Sequence, residues 1–518
     1  MKAVISVTKV IAKYYKAFTQ KFFAKESQLL VLLSIFYFVT RFFHLTILPI
    51  FNDESSYIYW SKIIATTNAH WFVSLVDGKP PLLFWIMATA LWFFPGQTFL
   101  FVARSVSVFA GFFTLLGIIF IGKFLFRSQK AAVIASLLYI TSPLMLIYDR
   151  LALYDSILCA LLLWTTYFTL KTAKTLRFRD ALTSGIFLGL SFYTKPTAAI
   201  YLLLIPLMFF IALFGVKQIF LWKKGFFLIL IILFLGEAFR YSLVFSRGYR
   251  DYIIVNARYV PTVNDLMSRP LFLLERNLPA IFSWFTGYQG ILFILCGFFS
   301  YIFLLFRKGK ADIILMLLFL LPLLAFSFVG KILFPRYLLF IFPYFLLPVA
   351  YIISLLMTKA HQYVGWAIMT MILLYPLFLD SKLLFNPPGA SLPFTEYTQL
   401  ISSASSGYGL SQVFQFLDER QKKYPITIVT LGTISSYPYA FNLQYWDDKR
   451  ITIIPIWPVT STTKNQIQIL AKHQHVFVIL KLLRYTNHPD FLKELRLKKV
   501  FSATKPGGMD PITIAAPD

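Results

Sequence analysis

Phe51-Asn52-Asp53-Glu54-Ser55-Ser56-Tyr57 and Asp77-Gly78-Lys79-Pro80-Pro81-Leu82 share one loop of about thirty residues, just after an apolar run that ends near Leu48. A carboxylate pair and a lone lysine are costly to hold at the edge of so apolar a chain. They point to a reaction site at the boundary of a bilayer.

The surrounding composition leaves little choice of solvent. Of 518 residues, 58% are hydrophobic and 57 are phenylalanine, with a mean hydropathy of +0.70. A soluble protein of this size has too little interior to bury that much apolar surface. Apolar runs of about eighteen residues or more recur along the first three quarters, each long enough to cross hydrocarbon as a helix. The net charge of +27 would suggest nucleic acid in a soluble chain. Here the basic residues sit mostly in short loops between apolar runs, as the positive-inside rule expects, so no nucleic-acid partner is implied. Residues 1–27, with six lysines, form a basic amphipathic segment expected to lie on anionic membrane lipid at the cytoplasmic face. Cys159 and Cys296 fall inside apolar runs and imply no disulfide.

With the N-terminus in the cytoplasm, a first span over about 28–48 leads outward. The basic loops 123–130, 171–179, 217–224 and 307–310 are then cytoplasmic. Crossings are expected over 99–122, 131–148, 152–170, 181–194, 196–215, 225–243, 287–306, 311–330, 334–357 and 364–380, about eleven in all. The stretch 82–94 is short and bounded by Pro81 and Pro95-Gly96, which suits an interfacial or re-entrant helix. The chain therefore divides into the segment 1–27, a transmembrane domain over 28–384 with its first outer loop at 49–98, and an outer domain over 385–518. In the last, β-rich runs at 426–431, 451–456 and 476–480 alternate with helical periods near 410–422 and 464–473, predicting a small α/β domain. No internal repeat supports an inverted-repeat transporter.

Each candidate side chain has a plain structural alternative. Asp53 and Glu54 suit a helix N-terminus, or a general base at the membrane face. Lys79, before Pro80-Pro81, suits snorkelling to headgroups, or an ammonium held beside a phosphate. Asp155 follows Asp149-Arg150 at an outer turn and begins a membrane helix, where a free charge is rarely without purpose. Lys195-Pro196, Arg336-Tyr337 and Arg104 also fall at outer ends of spans. The segment 240–276 holds six arginines and no lysine, and arginine's fork matches phosphate oxygens; pairing with Glu237, Asp251, Asp265 and Glu275 is the alternative. His473 and His475 alone are weak metal evidence, and no metal ligand is assigned.

Taken in order, this set is similar to the GT-C superfamily of membrane glycosyltransferases. It comprises Asp-Glu after the first span, Lys-Pro-Pro-Leu-Leu before a short apolar helix, an arginine some twenty-five residues on, Arg-Leu-Ala-Leu-x-Asp at an outer turn, Thr-Lys after a Gly-rich helix, and Arg-Tyr-Leu near the last spans. The nearest look is the branch of protein O-mannosyltransferases and the lipid A aminoarabinose transferase. The resemblance covers residues 28–357 and, more loosely, the outer domain. It implies a GT-C-like, all-α polytopic membrane domain of about eleven transmembrane helices plus interfacial helices, with a small C-terminal α/β extracytoplasmic domain, in the cell membrane. It also implies a polyprenyl-phosphate sugar donor and transfer outside the cytoplasm to a hydroxyl of a lipid, glycan or protein acceptor. Asp53 becomes the catalytic carboxylate and general base of an inverting transfer, with Glu54 beside it and Asp155 as the second acid. Lys79, Arg336, Arg104 and Lys195 become donor-phosphate contacts, and Tyr57, Tyr337 and Arg258 substrate contacts. No cofactor is called for, and a divalent metal stays open. Alternatives are a lipid-linked-sugar flippase or transporter, and a ligase using a pyrophosphate-lipid donor.

Overall fold

The computed structural model describes residues 26–67, 70–94, 99–269, 271–359, 362–431, 436–481 and 491–517. The basic N-terminal segment expected at 1–27 lies outside them up to residue 25. The described chain begins with α1 (Glu26–Phe42), α2 (Asn52–Thr66), α3 (Leu82–Phe93), α4 (Phe99–Phe126), α5 (Gln129–Ile140), α6 (Pro143–Asp149), α7 (Tyr154–Thr175) and α8 (Phe178–Phe192). It continues with α9 (Tyr201–Leu213), α10 (Ile219–Ser242), α11 (Tyr249–Ala257), α12 (Phe272–Gln289), α13 (Ile291–Arg307), α14 (Lys310–Val329), α15 (Phe342–Lys359) and α16 (Gln362–Phe385).

Six helical stretches among the described residues are long and apolar enough to cross a bilayer: α4, α7, Pro196–Leu213, Ile219–Phe245, α14 and α16. The bent pairs α5–α6, broken by 66°, and α12–α13, broken by 115°, bring the number to eight. The expected count of about eleven crossings is not confirmed. The difference lies in short helices: the apolar parts of α1 and α15 are Gln28–Phe42 and Phe342–Met357, and α8 has 15 residues. The breaks arise where backbone donors are lost or diverted. Ser142 and Pro143 end α5 and start α6, with the Ser142 hydroxyl accepting from the Met145 N–H. Gly290, at φ +79°, divides α12 from α13. α3, with 12 residues, is about 18 Å long, well short of the hydrocarbon thickness.

One continuous apolar core runs through these helices, with Tyr37, Phe84, Tyr139, Phe209 and Tyr344 fully enclosed. α8 and α10 approach closely because glycines face the opposing helix. A methyl at Gly189 would sit 2.6 Å from the Phe239 ring, and one at Gly236 would sit 2.5 Å from Leu188. Small residues at such seams are how membrane helices gain dispersion contact where lipid offers no hydrophobic drive.

The C-terminal region builds a five-stranded sheet ordered β2-β1-β3-β5-β4. The strands are β1 (Ile426–Leu431), β2 (Ile451–Ile456), β3 (His475–Lys481), β4 (Leu497–Ala503) and β5 (Ile512–Pro517). β1 pairs in parallel with β2 and β3, while β5 runs antiparallel to both β3 and β4. Its helices are α17 (Leu410–Gln421), α18 (Ser436–Gln444) and α19 (Ser461–Ala471). Every residue of β1 is buried, as befits a central strand covered on both faces. The C-terminal region leans on α2 through α18 and its flanking segments. Tyr59 lies 4.8 Å from Tyr439, the Lys62 ammonium lies 4.9 Å from the Trp446 ring, and the Asn52 N–H donates to the Ser405 carbonyl at 3.0 Å. The helix whose first turn carries Asp53 is thereby held from outside the bundle.

Candidate functional site

The site is assembled at the first turn of α2. Phe51 is extended and Asn52 starts the helix, so Asp53 and Glu54 fall among its unpaired N–H groups, where negative charge is favoured. The two carboxylates then diverge. Glu54 is fully buried and accepts four hydrogen bonds: from the Phe51 N–H at 3.0 Å, the Ala152 N–H at 2.7 Å, and Arg104 Nε and Nη2 at 2.8 and 2.7 Å. Arg104 spends its remaining donors on the carbonyls of Leu45, Leu48 and Pro49. This closed pair ties the end of α1, the start of α2, α4 and the turn before α7 into one unit. The sequence placed Arg104 on a donor phosphate and Glu54 among the catalytic acids. The structure leaves neither a free donor nor a free acceptor for those tasks.

Asp53 points the other way. Its Oδ2 accepts from Arg336 Nη2 at 2.6 Å, and its side chain keeps 28% exposure. Among the described residues Oδ1 accepts only from Asn52 Nδ2, at 3.3 Å. Arg336 stands on a single 3-10 turn, Pro335–Leu338, and its Nε–H is buried without a partner among the described residues. Asp155, in the first turn of α7, accepts from Lys195 Nζ at 2.7 Å. Lys195 precedes Pro196 in extended conformation, which aims its side chain away from the helix that follows. Its ammonium lies 3.7 Å from the Tyr337 ring centre and 4.8 Å from that of Tyr154. Burial pushes Lys195 down to about 8; Asp155 opposes the shift, and the cations Arg336 and Lys79 add to it.

Lys79 reaches the same place from the outer loop. The turn Val73–Asp77 ends on Gly78 at φ +71°, and the Lys79 N–H closes back onto the Ser74 carbonyl at 3.2 Å. A side chain at Gly78 would have to adopt that left-handed geometry and would meet Val255 at 2.4 Å. Asp77 anchors the turn to α2 by accepting from Trp60 Nε1 at 2.6 Å, and burial holds its carboxyl above the usual range. The Lys79 ammonium sits 5.8 to 6.0 Å from the rings of Tyr154, Tyr259 and Tyr57. It makes no ion pair among the described residues.

Lys79 and Lys195 both line a cavity of about 310 Å³. Tyr154, Tyr337, Asn256 and Tyr259 line it too, and Pro322, Ala325, Phe326 and Val329 of α14 form an apolar wall. Asp53, Asp155 and Arg336 do not line it. They stand one contact away, through Arg336 beside Tyr337 and Lys195 beside Asp155. Three cations meet in this corner, Lys79, Lys195 and Arg336, and of these Lys79 has no ion pair among the described residues, which suits it to an anion.

Of the expected substrate contacts, Tyr337 lines the cavity. Tyr57 is buried behind it, its ring 5.3 Å from that of Tyr154. Arg258 is not brought in: it is exposed on the end of α11 and donates to the Val255 carbonyl at 2.8 Å. Two further arginines of the arginine-rich segment are engaged by the protein itself, Arg240 by Glu237 and Arg276 by the carbonyls of Gly330 and Lys331 across the fold. The segment contributes Asn256 and Tyr259 instead. Tyr154, Tyr259, Asn256 and the α14 wall were not singled out from sequence. Tyr154 stood inside the quoted outer turn, but nothing local marks an α14 proline and alanine as a ligand wall. Among the described residues no three of His, Cys, Asp and Glu gather as metal ligands do. His475 stacks on Tyr424 at 3.6 Å.

Residues 78–237 match the family model described as dolichyl-phosphate-mannose-protein mannosyltransferase. No curated protein sequence matches. Among solved structures, the fold is similar to ArnT from Cupriavidus metallidurans bound to undecaprenyl phosphate, with a TM-score of 0.57 at 11% identity, covering 94% of this chain and 97% of that one. It is also similar to the Archaeoglobus fulgidus oligosaccharyltransferase in complex with zinc and sulfate, with a TM-score of 0.56 at 13% identity over 93% of this chain and 72% of that one. The archaeal oligosaccharyltransferase AglB from Archaeoglobus fulgidus, with an inhibitory peptide and a dolichol-phosphate, matches at a TM-score of 0.53 and 12% identity, over 95% and 74%. The chain thus shares its fold with these membrane proteins, and residues 78–237 carry the match to the mannosyltransferase family model.

Proposed function

We propose that this chain transfers a sugar from a polyprenyl-phosphate donor to an acceptor hydroxyl at the extracytoplasmic face of the cell membrane, with inversion at the anomeric carbon. One observation carries the proposal: an apolar-walled cavity ends in two ammonium groups, Lys79 and Lys195, with the Asp53–Arg336 pair one contact beyond. An isoprenoid chain suits the wall of Pro322, Phe326 and Val329, each buried methylene contributing about 0.8 kcal/mol. The phosphate suits the two ammonium groups. The archaeal and bacterial structures of like fold that hold dolichol-phosphate and undecaprenyl phosphate support the choice of ligand class.

In the proposed reaction the acceptor O–H gives its proton to Asp53 Oδ1, held only by the long contact from Asn52, as its oxygen attacks the anomeric carbon. The bond from that carbon to the phosphate oxygen breaks on the opposite side, and polyprenyl phosphate leaves with the electron pair. Negative charge therefore grows on the departing oxygen. Lys79, Lys195 and the unpartnered Nε–H of Arg336 are fixed donors for it in a site from which water is largely excluded, where such donors act more strongly than in solution. Arg336 also holds the Asp53 carboxylate in aim. Glu54 and Arg104 take a positioning role, since their pair sets where α2 begins. Asp155 holds Lys195 in the cavity wall. The residues 385–518 brace α2 as an outer domain.

The test is incubation of membranes carrying the protein with labelled polyprenyl-phosphate monosaccharides, following label on lipid, glycan and protein. Label should leave the donor in wild type and stay on it in Asp53→Asn, a loss of about 10²- to 10⁴-fold for a general base. Wild-type turnover in the variant would remove Asp53 from that role. Movement of intact donor across the bilayer without transfer would replace the enzyme by a flippase.

A further inference from the structure

The seam between α8 and α10 is sealed toward Lys195 by Gly185, Gly189 and Gly236 and opens at its other end. There a groove of about 650 Å³ is bounded by Arg177, Arg179 and Lys224, with Phe178, Phe227 and Leu228 as its apolar floor. α8 has 15 residues, so this groove lies roughly 22 Å along the helix from the reaction centre. Phe178 and Phe227 are 52% and 58% exposed, an arrangement suited to contact with lipid chains rather than water. None of the three cations has a carboxylate partner among the described residues. Asp180, next to Arg179 in sequence, is buried and engaged by Lys171 at 3.2 Å and the Thr175 hydroxyl at 2.9 Å. The groove is therefore a basic pocket between membrane helices, amphipathic across its width, with its charge unspent.

We propose that this groove binds the headgroup of an anionic phospholipid, its phosphate held by the forks of Arg177 and Arg179 and by Lys224, its chains lying on Phe178 and Phe227. Two planar guanidinium groups and an ammonium match phosphate oxygens in geometry as well as in charge, and basic pockets between helices are the general form of such sites. The bound lipid splints the open end of the α8–α10 seam, on the helix whose far end delivers Lys195. The site is independent of the reaction proposed above.

The test is native mass spectrometry of the full-length protein, purified in neutral detergent and equilibrated with equal phosphatidylglycerol and phosphatidylcholine. Wild type should retain phosphatidylglycerol selectively. The triple variant R177Q/R179Q/K224Q should retain on the order of a hundredfold less, at about fivefold per cation. A control triple that removes three charges from the other basic loops, R127Q/K130Q/K308Q, should retain it as wild type does. Equal loss in both triples would reduce the effect to diffuse attraction and overturn the proposal, as would equal retention of the two lipids by wild type. Should the first triple fail to purify, the exposed single change R179Q gives the readout: about a fivefold loss supports the site, and no loss overturns it.

Discussion

Replacing Lys195 by methionine separates two roles that one ammonium group plays. Lys195 Nζ lies 2.7 Å from Asp155 Oδ1, with the two side chains 8% and 3% exposed, and it also lines the cavity assigned to the donor phosphate. Breaking a buried pair by removing one member leaves an uncompensated charge, at a cost of about 3 to 5 kcal/mol in stability. Loss of one charged hydrogen bond to a phosphate costs about 1.5 to 3 kcal/mol, or roughly ten- to a hundredfold in affinity. The single variant mixes the two effects, so the informative comparison is Asp155→Asn against the double variant K195M/D155N. Both lack the buried carboxylate, and only the second lacks the ammonium. Melting temperature in detergent reports stability, and titration with undecaprenyl phosphate reports binding. The double variant should melt well above Lys195→Met yet bind undecaprenyl phosphate ten- to a hundredfold more weakly than Asp155→Asn. Equal affinity in these two would refute the phosphate role and leave Lys195 as the partner of Asp155 alone.

The same ammonium sets a pH dependence. A bound phosphate raises the affinity of Lys195 for its proton, so the free protein titrates first, at about 8. Undecaprenyl phosphate should bind most tightly below that value and progressively less tightly as pH rises through it; a flat profile from 7 to 9.5, or a step that persists in Lys195→Met, would contradict the assignment. Lys79→Ala should weaken undecaprenyl phosphate binding with little change in melting temperature, because Lys79 makes no ion pair among the described residues; unchanged binding would return it to a headgroup-snorkelling role. Gly78→Ala should do likewise indirectly, since its φ of +71° and the Val255 methyl 2.4 Å from a new Cβ force the turn to shift; wild-type binding would show that the turn does not aim Lys79. Arg104→Ala should cost about 3 to 5 kcal/mol of stability while undecaprenyl phosphate affinity in the surviving folded protein stays near wild type. A selective loss of affinity would restore Arg104 to the phosphate.

The residues that carry charge at outer ends of helices were legible in the sequence, because a charge in an apolar chain stands out against its neighbours. Asp53, Lys79, Asp155, Lys195 and Arg336 were all visible that way, and the structure brings them to one corner. What the sequence does not express is which charge is free. Glu54 and Arg104 read like their neighbours Asp53 and Lys79, yet they consume each other, because saturation depends on the carbonyls of Leu45 and Leu48 and on the Ala152 N–H from distant elements. The arginine-rich segment misled for the same reason: Arg276 caps carbonyls at Gly330 and Lys331 that only tertiary contact supplies. Apolar run length placed the long helices well. The count of about eleven crossings is not confirmed, since runs bend at Ser142-Pro143 and Gly290 and helices such as α8 are short. In the sheet, β1 to β3 show as apolar runs, whereas β4 carries adjacent lysines in Leu497-Lys498-Lys499 and reads as polar until β5 pairs with it.

The most direct measurement is a cryo-electron microscopy structure of the protein with undecaprenyl phosphate. The account predicts phosphate density between the Lys79 and Lys195 ammonium groups, within reach of the Arg336 Nε–H, and isoprenoid density along Pro322, Phe326 and Val329. Phosphate density seated elsewhere, with that cavity filled by water or closed by side chains, would contradict it.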